Sequence, residues 1–255
     1  MKIQSILVIL VAFLCLGIAV YLFFEEENND ESLIKKEVSY THNELAHLKN
    51  YCEKGTMQSP IQIKNKNVLS QQTPTIEIFY GEEPFILKKQ EHTLEAVSKS
   101  RVSYITIDKK PYKLVSFHFH VPSEHQIEDK RYDMELHLVH KNKKGKLAVI
   151  GVLIKAGEEN ELMEELWNFL QDDGLEEKEI ESIHLLSLIP DNRDAFYYSG
   201  SLTTPPCTEG VHWIVFESPI DFSNKQIASF YQVYGYNNRP LQPINGRDIY
   251  KLTVQ

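Results

Sequence analysis

Histidines occur in two short segments of alternating apolar and polar residues, and their spacing could build a metal site. Residues 116–125 contain His118 and His120, and residues 134–140 contain His137. A β-strand sends residues i and i+2 to the same face, so His118 and His120 project together. Three neutral imidazoles on neighbouring strands would bind zinc and leave its fourth tetrahedral position open, which is typical of a catalytic site.

Two carboxylates accompany these histidines. Glu135 precedes His137 by two residues on the same predicted strand face, and metal-bound histidines usually donate their other ring N–H to a carboxylate or carbonyl. Glu124 follows the first pair. A His-x-His pair alone is more often two ordinary histidines, but the third histidine and the carboxylates favour a metal site.

The size and charge of the chain limit its class. With 255 residues, of which 42% are hydrophobic, it can bury one sizeable core, and nothing requires a second catalytic domain. The formal net charge of −9 argues against a nucleic-acid partner, because no basic face would neutralise phosphates. A short basic run at residues 141–146 is interpreted as a solvated turn between strands, in preference to an anion site.

The N-terminal residues predict export. Within residues 1–24, Lys2 precedes an uncharged apolar run that could be a signal peptide or a retained membrane anchor. Residues 25–37 are polar and predict a tether, and residues 38–255 are expected to form the folded domain. Because basic residues favour the inner side of a membrane, the domain is expected in the periplasm or at the outer face of the cytoplasmic membrane.

The body is predicted to be mainly β. Strands are expected at residues 75–80, 93–97, 104–107 and 113–119, and residues 135–140 and 147–155 are expected to pair as a hairpin. Helices are predicted at residues 160–170 and 223–231, the second opened by a capping box. The apolar positions of the first helix, all predicted to be core, are Leu162, Met163, Leu166, Trp167 and Leu170.

Of the three cysteines, Cys52 and Cys207 lie in the predicted body. They are widely separated and have no C-x-x-C partner, which favours a single disulfide over a metal site in an exported protein. Two buried free thiols are the alternative.

Residues 200–207 read Gly-Ser-Leu-Thr-Thr-Pro-Pro-Cys and complete a set of motifs that resembles the α-class carbonic anhydrases. The other motifs, in the family's order and spacing, are Gln58-Ser59-Pro60-Ile61, Phe117-His118-Phe119-His120, Ser123-Glu124-His125, residues 135–140, Asn238-Arg239-Pro240 and Gln242-Pro243. The resemblance covers about residues 40–250, and the combination is highly specific although no single motif is.

The resemblance implies one domain with a large, mostly antiparallel, twisted β-sheet and a few peripheral helices. It also implies reversible hydration of carbon dioxide to bicarbonate and a proton, by attack of zinc-bound hydroxide. The positions that match the zinc ligands are His118, His120 and His137. Sulfonamide-type inhibitors are expected to bind.

Further roles are implied by position. Thr203 matches a gatekeeper whose hydroxyl accepts from the zinc-bound hydroxide and donates to a carboxylate, here Glu124. His92 matches a proton shuttle, and Cys52 and Cys207 match the disulfide pair of bacterial members. The residues expected to contact the substrate are Thr203 and Thr204 with an apolar wall of Val139, Val149, Leu202, Val211 and Trp213.

Some residues depart from the family pattern. Ser116 stands where many members have a glutamine that orients the first zinc histidine. The hydrogen bond that orients this histidine is therefore expected to be shorter, replaced or lost. Gln90-Glu91 replaces the Asn-Gly that often precedes the shuttle. His125 is expected to be a buried hydrogen-bonding residue, and none of the departures changes a ligand.

Two other functions fit part of the sequence pattern. A metal-dependent cupin would use His118, His120 and Glu124 as ligands, but His137 lacks the preceding Pro-x-Gly of the second cupin motif. A catalytically silent binding module of the same fold would be expected to lack a zinc histidine, and all three are present.

Overall fold

The structure, a computed structural model, describes residues 52–69 and 73–255. The predicted signal or anchor, the predicted tether and residues 38–51 of the predicted domain lie outside the described residues. Within the described ranges, no helix is long and apolar enough to cross a membrane.

Strands make up most of the regular structure, as the spacing of β-branched and aromatic residues predicts. In chain order they are β1 (Gln62–Ile63), β2 (Val68–Leu69), β3 (Ile76–Phe79), β4 (Glu82–Lys89), β5 (Leu94–Ser98), β6 (Tyr104–Ile107), β7 (Lys110–His120), β8 (Gln126–Ile127), β9 (Lys130–Arg131), β10 (Met134–Lys141), β11 (Leu147–Ala156), β12 (Glu177–His184), β13 (Asp194–Ser201), β14 (Glu209–Phe216), β15 (Ile220–Phe222) and β16 (Ile249–Thr253). Each strand predicted from the sequence is present, with shifted ends in most cases.

One sheet of 13 strands organises the domain, and β1, β8 and β9 form a separate small sheet. The main path of the large sheet runs β12-β4-β5-β7-β10-β11-β14-β13-β16-β2. Strands β6 and β3 extend from β7, and β15 pairs with β11. Pairs in the large sheet are antiparallel except β11–β14, β11–β15 and β16–β2. The predicted large, mostly antiparallel sheet and the β10–β11 hairpin are therefore confirmed.

The helices lie at the periphery of this sheet. Helix α1 spans Glu164–Leu170, helix α2 spans Asn224–Tyr234, and 3-10 turns occur at Asn65–Asn67, Glu161–Met163 and Leu185–Leu188. The predicted α-helix at residues 160–170 is thus correct only from Glu164 onward, and Leu162 is 43% exposed, so its prediction as core is wrong.

The predicted capping box of α2 is present. Ser223 Oγ accepts from the Gln226 backbone N–H, and Gln226 Oε1 accepts from the Ser223 N–H. These bonds satisfy backbone donors that a helix start leaves without an intrahelical partner.

Apolar side chains cover both faces of the sheet. On one face, Phe119 packs against Trp167 of α1 and Phe230 of α2, with ring centroids 5.2 and 6.0 Å apart. Trp167 Nε1 donates to the Gln226 carbonyl at 2.7 Å, which joins the two helices. The other face carries a second cluster that includes Val149, Tyr198 and Trp213, and the alternation of β7 directs His118 and His120 toward that side.

Candidate metal centre and its surroundings

Strands β7 and β10 bring the three predicted ligands together. Their register places His118 directly opposite His137 and His120 opposite Glu135. One nitrogen from each of His118, His120 and His137 lies within 4.8 Å of the other two. The sequence pattern of two histidines on one strand face and a third on the next strand therefore converges as predicted.

Hydrogen bonds fix which nitrogen of two of these rings is free. His120 Nδ1 donates to the Asn237 carbonyl at 3.2 Å, because a carbonyl can only accept. His137 Nε2 likewise donates to Glu135 Oε1 at 2.9 Å. His120 Nε2 and His137 Nδ1 are then lone-pair nitrogens, and His120 Nε2 is buried without a hydrogen-bond partner in the described structure.

Burial favours the neutral, metal-binding form of two of these imidazoles, those of His118 and His120. Burial lowers the pKa of His118 well below its usual value, and positive charge on His120 and His137 would lower it further. Burial also lowers the pKa of His120, although the nearby Glu124 carboxylate opposes the shift. Neutral imidazole is the ligand state for zinc and similar ions.

Glu135 is a fully buried carboxylate that accepts three hydrogen bonds. The donors are His137 Nε2 at 2.9 Å, and His125 Nδ1 and the His125 backbone N–H, each at 2.7 Å. Burial by itself would raise the pKa of Glu135, but the charges and hydrogen bonds of His125 and His137 hold it well below its usual value. The carboxylate therefore stays ionised and orients the His137 ring.

The network continues beyond His125. Because His125 Nδ1 is the donor to Glu135, His125 Nε2 accepts from the Tyr198 hydroxyl at 2.7 Å, and Tyr198 is 2.7 Å from Ser59 Oγ. Ser59 and Ser201 bond each other twice, Ser59 N to Ser201 Oγ at 2.9 Å and Ser201 N to Ser59 Oγ at 3.1 Å. A continuous chain of hydrogen bonds therefore joins a candidate ligand to the segment that carries Thr203.

Glu124 and Thr203 lie beside the three histidines but are not hydrogen-bonded to each other in the described structure. Glu124 Oε1 accepts from the Arg239 backbone N–H at 2.7 Å. Glu124 Oε2 lies 3.9 Å from His137 Nδ1 and is buried without a hydrogen-bond partner. This oxygen is an available acceptor for the predicted Thr203 bond.

A pocket opens over the histidines. It is lined by His118, His137, Val139, Val149, Leu202, Thr203, Thr204 and Trp213. Apart from the histidines and the two threonines, these walls are apolar. Val211, also predicted to contact the substrate, is not among the lining residues and is buried in the cluster that contains Val149 and Trp213.

Comparison with known proteins identifies the family. Residues 42–253 match the family model described as eukaryotic-type carbonic anhydrase. The chain belongs to the carbonic anhydrase family. A Klebsiella pneumoniae carbonic anhydrase is 40% identical over 199 residues, which cover 77% of this chain and 80% of the relative. The predicted family and enzyme class are therefore confirmed.

Solved carbonic anhydrases share the fold. A Thermovibrio ammonificans α-carbonic anhydrase in complex with sulfanilamide has a TM-score of 0.74 at 37% identity, covering 80% of this chain and 90% of that one. The enzyme Cah3 from Chlamydomonas reinhardtii, in complex with acetazolamide, has a TM-score of 0.71 at 33% identity, covering 79% and 92%. The predicted fold class agrees with these structures.

A second group of candidate metal ligands has a different explanation. His125, Glu135 and His137 also lie close together, but their approach is accounted for by hydrogen bonds onto the carboxylate. Glu124, the third ligand in a cupin, is absent from both ligand groups of the described chain. The carbonic anhydrase match and the large open sheet leave the cupin interpretation without support.

Ser116, which stands where many family members have a glutamine that orients the first histidine, makes no hydrogen bond to His118 in the described structure. Ser116 lies on the same face of β7 as His118 and is buried, opposite Val139 of β10. In the described part of this carbonic anhydrase chain, neither Ser116 Oγ nor the His118 ring makes a hydrogen bond. His118 is thus held by packing, with ring centroids 5.0 Å from His120 and 5.3 Å from His137.

The predicted shuttle, His92, lies outside the pocket lining. Its side chain is 77% exposed, in the turn between β4 and β5. Asn237 Nδ2 donates to the His92 carbonyl at 2.8 Å and to the Phe119 carbonyl at 3.0 Å, while Asn237 Oδ1 accepts from Val121 N at 2.7 Å. Asn237 therefore ties the His92 turn to the end of the strand that carries His118 and His120.

The predicted disulfide joins Cys52 and Cys207, with Cα atoms 5.1 Å apart, which confirms that prediction. Arg239 reinforces this region: its guanidinium donates to the carbonyls of Cys52 and Ser59 and to Gln58 Oε1. Gln58 Nε2 in turn donates to the Cys207 carbonyl at 3.1 Å. The motifs at residues 58–61 and 238–240 thus hold the segment that follows Thr203.

Sequence reasoning missed several positioning residues. The sequence gives no role to Tyr198 or Asn237, and it marks Ser59, Ser201 and Arg239 only as parts of motifs. The available signal was the motif set itself, since polar residues at 58–59 and 238–239 accompany the ligand motifs. Nothing local marks Tyr198, because one strand tyrosine resembles any other.

Proposed function

We propose that the chain is a zinc enzyme that reversibly hydrates carbon dioxide to bicarbonate and a proton. The observation that carries the proposal is the set of three converging imidazoles, two of which, those of His118 and His137, line a largely apolar pocket. The unpartnered, buried His120 Nε2 fits a nitrogen ligand of a metal ion. Three nitrogen donors with an open fourth position suit catalytic zinc, held by His118, His120 and His137.

Zinc held there supplies a Lewis acid that lowers the pKa of a water molecule to about 7, a value for which carbonic anhydrase is itself the reference case. Asn237 and Glu135 contribute by holding the His120 and His137 rings with their lone pairs toward the site. As neutral ligands, the three imidazoles would leave the positive charge of a bound ion uncompensated.

The pocket walls suit an uncharged substrate. Val139, Val149, Leu202 and Trp213 present apolar surface beside the histidines. Carbon dioxide loses little hydration on entering such a pocket, whereas bicarbonate is better hydrated outside. The walls therefore admit the substrate and favour release of the product.

Thr203 and Glu124 are proposed to orient the attacking oxygen. Rotation of the Thr203 hydroxyl toward Glu124 would use the acceptor Oε2, which has no partner in the described chain. With its hydrogen donated to Glu124, the Thr203 oxygen can only accept a hydrogen bond from the nucleophile. That selection fixes the lone pair that attacks and disfavours ligands that have no proton to donate.

Proton release and location are further parts of the proposal. The exposed His92 imidazole is proposed to pass the released proton to buffer, and Asn237 holds its turn next to the ligand strand. Sulfonamides are proposed inhibitors because related carbonic anhydrases are solved with sulfanilamide and acetazolamide.

Export to the periplasm, or retention at the outer face of the membrane, is proposed from the apolar N-terminal sequence.

The test is stopped-flow hydration of carbon dioxide by the full chain, with bound metal quantified in the same sample. We expect stoichiometric zinc and fast hydration, and loss of both in His118→Ala. His184→Ala, an exposed histidine whose ring bonds Ser187, is the matched control and should retain both. Zinc without hydration would instead support a binding module of the same fold, and bound iron or manganese in place of zinc would contradict the proposed zinc site.

A further inference from the structure

Two hairpin turns gather lysines at one end of the sheet. Lys109 and Lys110 lie at the β6–β7 turn, and Lys143, Lys144 and Lys146 lie at the β10–β11 turn. Between the turns, Lys113 of β7 is directly opposite Lys141 of β10. These seven residues, called here the lysine face, stand out in a chain whose net charge is −9.

The strand register aligns aromatic residues with this lysine pair. Phe79 is opposite Tyr104, Tyr104 is opposite Lys113, and Lys113 is opposite Lys141, so the four side chains form one row across β3, β6, β7 and β10. The Phe79 and Tyr104 rings stack with centroids 4.8 Å apart, and Phe79 is 43% exposed. An exposed ring, Phe79, stacked on the half-buried Tyr104, therefore borders the lysine face.

Six of the seven lysines have no carboxylate partner in the part of the chain that the structure describes. In residues 52–69 and 73–255, no ion pair involves Lys109, Lys110, Lys113, Lys143, Lys144 or Lys146. Lysines elsewhere on the domain do pair with carboxylates, namely Lys64, Lys88, Lys99, Lys155, Lys178 and Lys251. The nearby Asp108 carboxylate accepts the Thr75 backbone N–H.

The two turns are ordered and lie close to each other. Asn142 Oδ1 accepts the backbone N–H groups of Lys144 and Lys146 at 2.9 and 3.0 Å, which fixes the β10–β11 turn. The charges of Lys146 and Lys110 both act on one imidazole: burial lowers the pKa of His212, and these two lysines lower it further. The lysines of the two turns thus form one surface. The basic run at residues 141–146 did not predict this surface, because it contains no lysine of the β6–β7 turn.

We propose that the lysine face and the Phe79–Tyr104 pair dock the domain on an anionic phospholipid surface. Clustered lysines are attracted to anionic headgroups, and aromatic side chains favour the boundary between headgroups and acyl chains. The high negative charge of the rest of the chain disfavours wrapping by a nucleic acid but does not prevent contact of one face with a lipid surface. The apolar N-terminal run is expected to bring the domain within reach of such a surface.

The proposal is tested with the full chain carrying Phe79→Trp and mixed with vesicles that contain brominated phosphatidylcholine, with or without phosphatidylglycerol. The chain's two tryptophans, Trp167 and Trp213, are buried, so quenching reports the introduced side chain. We expect quenching when phosphatidylglycerol is present, and its loss in neutral vesicles and in high salt. Because any N-terminal anchoring is the same in all samples, the difference measures contact by this face.

Two triple variants with the same change in charge separate the lysine face from general electrostatics. The quenching should be lost in the variant of the lysine face, in which Lys109, Lys113 and Lys144 are changed to Glu. It should remain in the control variant, in which Lys54, Lys66 and Lys225 are changed to Glu. All six side chains are exposed. Circular dichroism melts check that both variants fold. Equal quenching in neutral vesicles, no quenching in anionic ones, or equal loss in both variants would overturn the proposal, and binding to duplex DNA without lipid quenching would assign the face to a soluble polyanion instead.

Discussion

At the scale of single residues, the Glu135 carboxylate supports the proposed metal site through the His137 ring and is not one of the three proposed ligands. It accepts the ring N–H of His137 and two N–H groups of His125, and it is fully buried. Its charge therefore serves two histidines at once. Losing that charge leaves donors without an ionised acceptor in a place that water does not reach.

We predict that Glu135→Gln lowers zinc affinity about 10-fold to 100-fold, because the amide keeps the shape but holds the His137 ring less firmly and makes it less basic. Competition with a chromogenic chelator measures the affinity. Glu83→Gln is the matched control, since Glu83 is a buried carboxylate that accepts from Ser98 and Ser100, away from the histidines. Equal affinities in the two variants would remove Glu135 from the metal site.

Thr203 and Thr204 offer a second residue-scale comparison, because both line the pocket and only the first is proposed to orient the nucleophile. Thr203→Val should lower kcat/KM for hydration by about 100-fold, a usual magnitude for losing one oriented hydrogen bond in a transition state. Thr204→Val should cause a much smaller loss. Parallel losses in stopped-flow assays would show that pocket shape, and not the Thr203 hydroxyl, sets the rate.

The ligand residues could be predicted from the sequence because two of them share a strand face and the third lies on the next strand. Their supports could not be predicted from local pattern. His125 bonds Tyr198, 73 residues away, and His120 bonds the Asn237 carbonyl, 117 residues away. Such contacts arise from the order of strands in the sheet, which alternation of residues does not specify.

At the scale of elements, strands were predicted better than helix ends. The predicted strand at 104–107 is found as β6, because β-branched residues and flanking turns define it. The helix prediction at 160–170 assumed 3.6 residues per turn throughout, but residues 161–163 form a 3-10 turn. At 3.0 residues per turn the side-chain directions shift, which leaves Leu162 exposed and Met163 buried.

The disulfide links elements that are far apart in the chain, since Cys52 and Cys207 are 155 residues apart. Replacing both with Ala should lower the free energy of unfolding by about 2–5 kcal/mol, mainly because the unfolded chain regains freedom. Urea titration measures the change. Dithiothreitol should destabilise the unmodified chain and leave the double variant unaffected, and an effect on both would mean that the reductant acts elsewhere.

At the scale of the whole molecule, the sheet separates two kinds of buried histidine. His137 faces the metal site, whereas His140, three residues later on β10, packs in the cluster on the opposite face with Tyr80. The 13-strand order that creates both environments includes parallel crossovers at β11–β14 and β16–β2. Sequence patterns predicted the strands and the β10–β11 hairpin, and the resemblance implied the large sheet. The parallel pairings follow from tertiary packing and were not predicted.

The environment of His140 predicts how the stability of the whole domain depends on pH. Burial lowers the pKa of His140 to about 3, although the carbonyls of Ala148 and Leu138 oppose the shift. The unfolded chain takes up this proton at its ordinary pKa of about 6.5, so between about pH 6.5 and pH 3 the unfolded state binds a proton that the folded state excludes. His140 therefore costs no stability above pH 6.5 and lowers the free energy of unfolding by up to about 1.4 kcal/mol per pH unit below it.

Replacing His140 with Gln should accordingly make the acid side of the stability curve shallower. At neutral pH the variant should be less stable by about 1–3 kcal/mol, because the 2.7 Å bond to Tyr80 and the ring packing are disturbed. The deficit should shrink by about 2 kcal/mol between about pH 6.5 and pH 5, because the unfolded variant has no imidazole at position 140 to bind a proton. Urea unfolding at several pH values measures both effects, with His184→Gln as an exposed control, and a deficit that stays constant with pH would show that His140 takes up its proton in the folded protein.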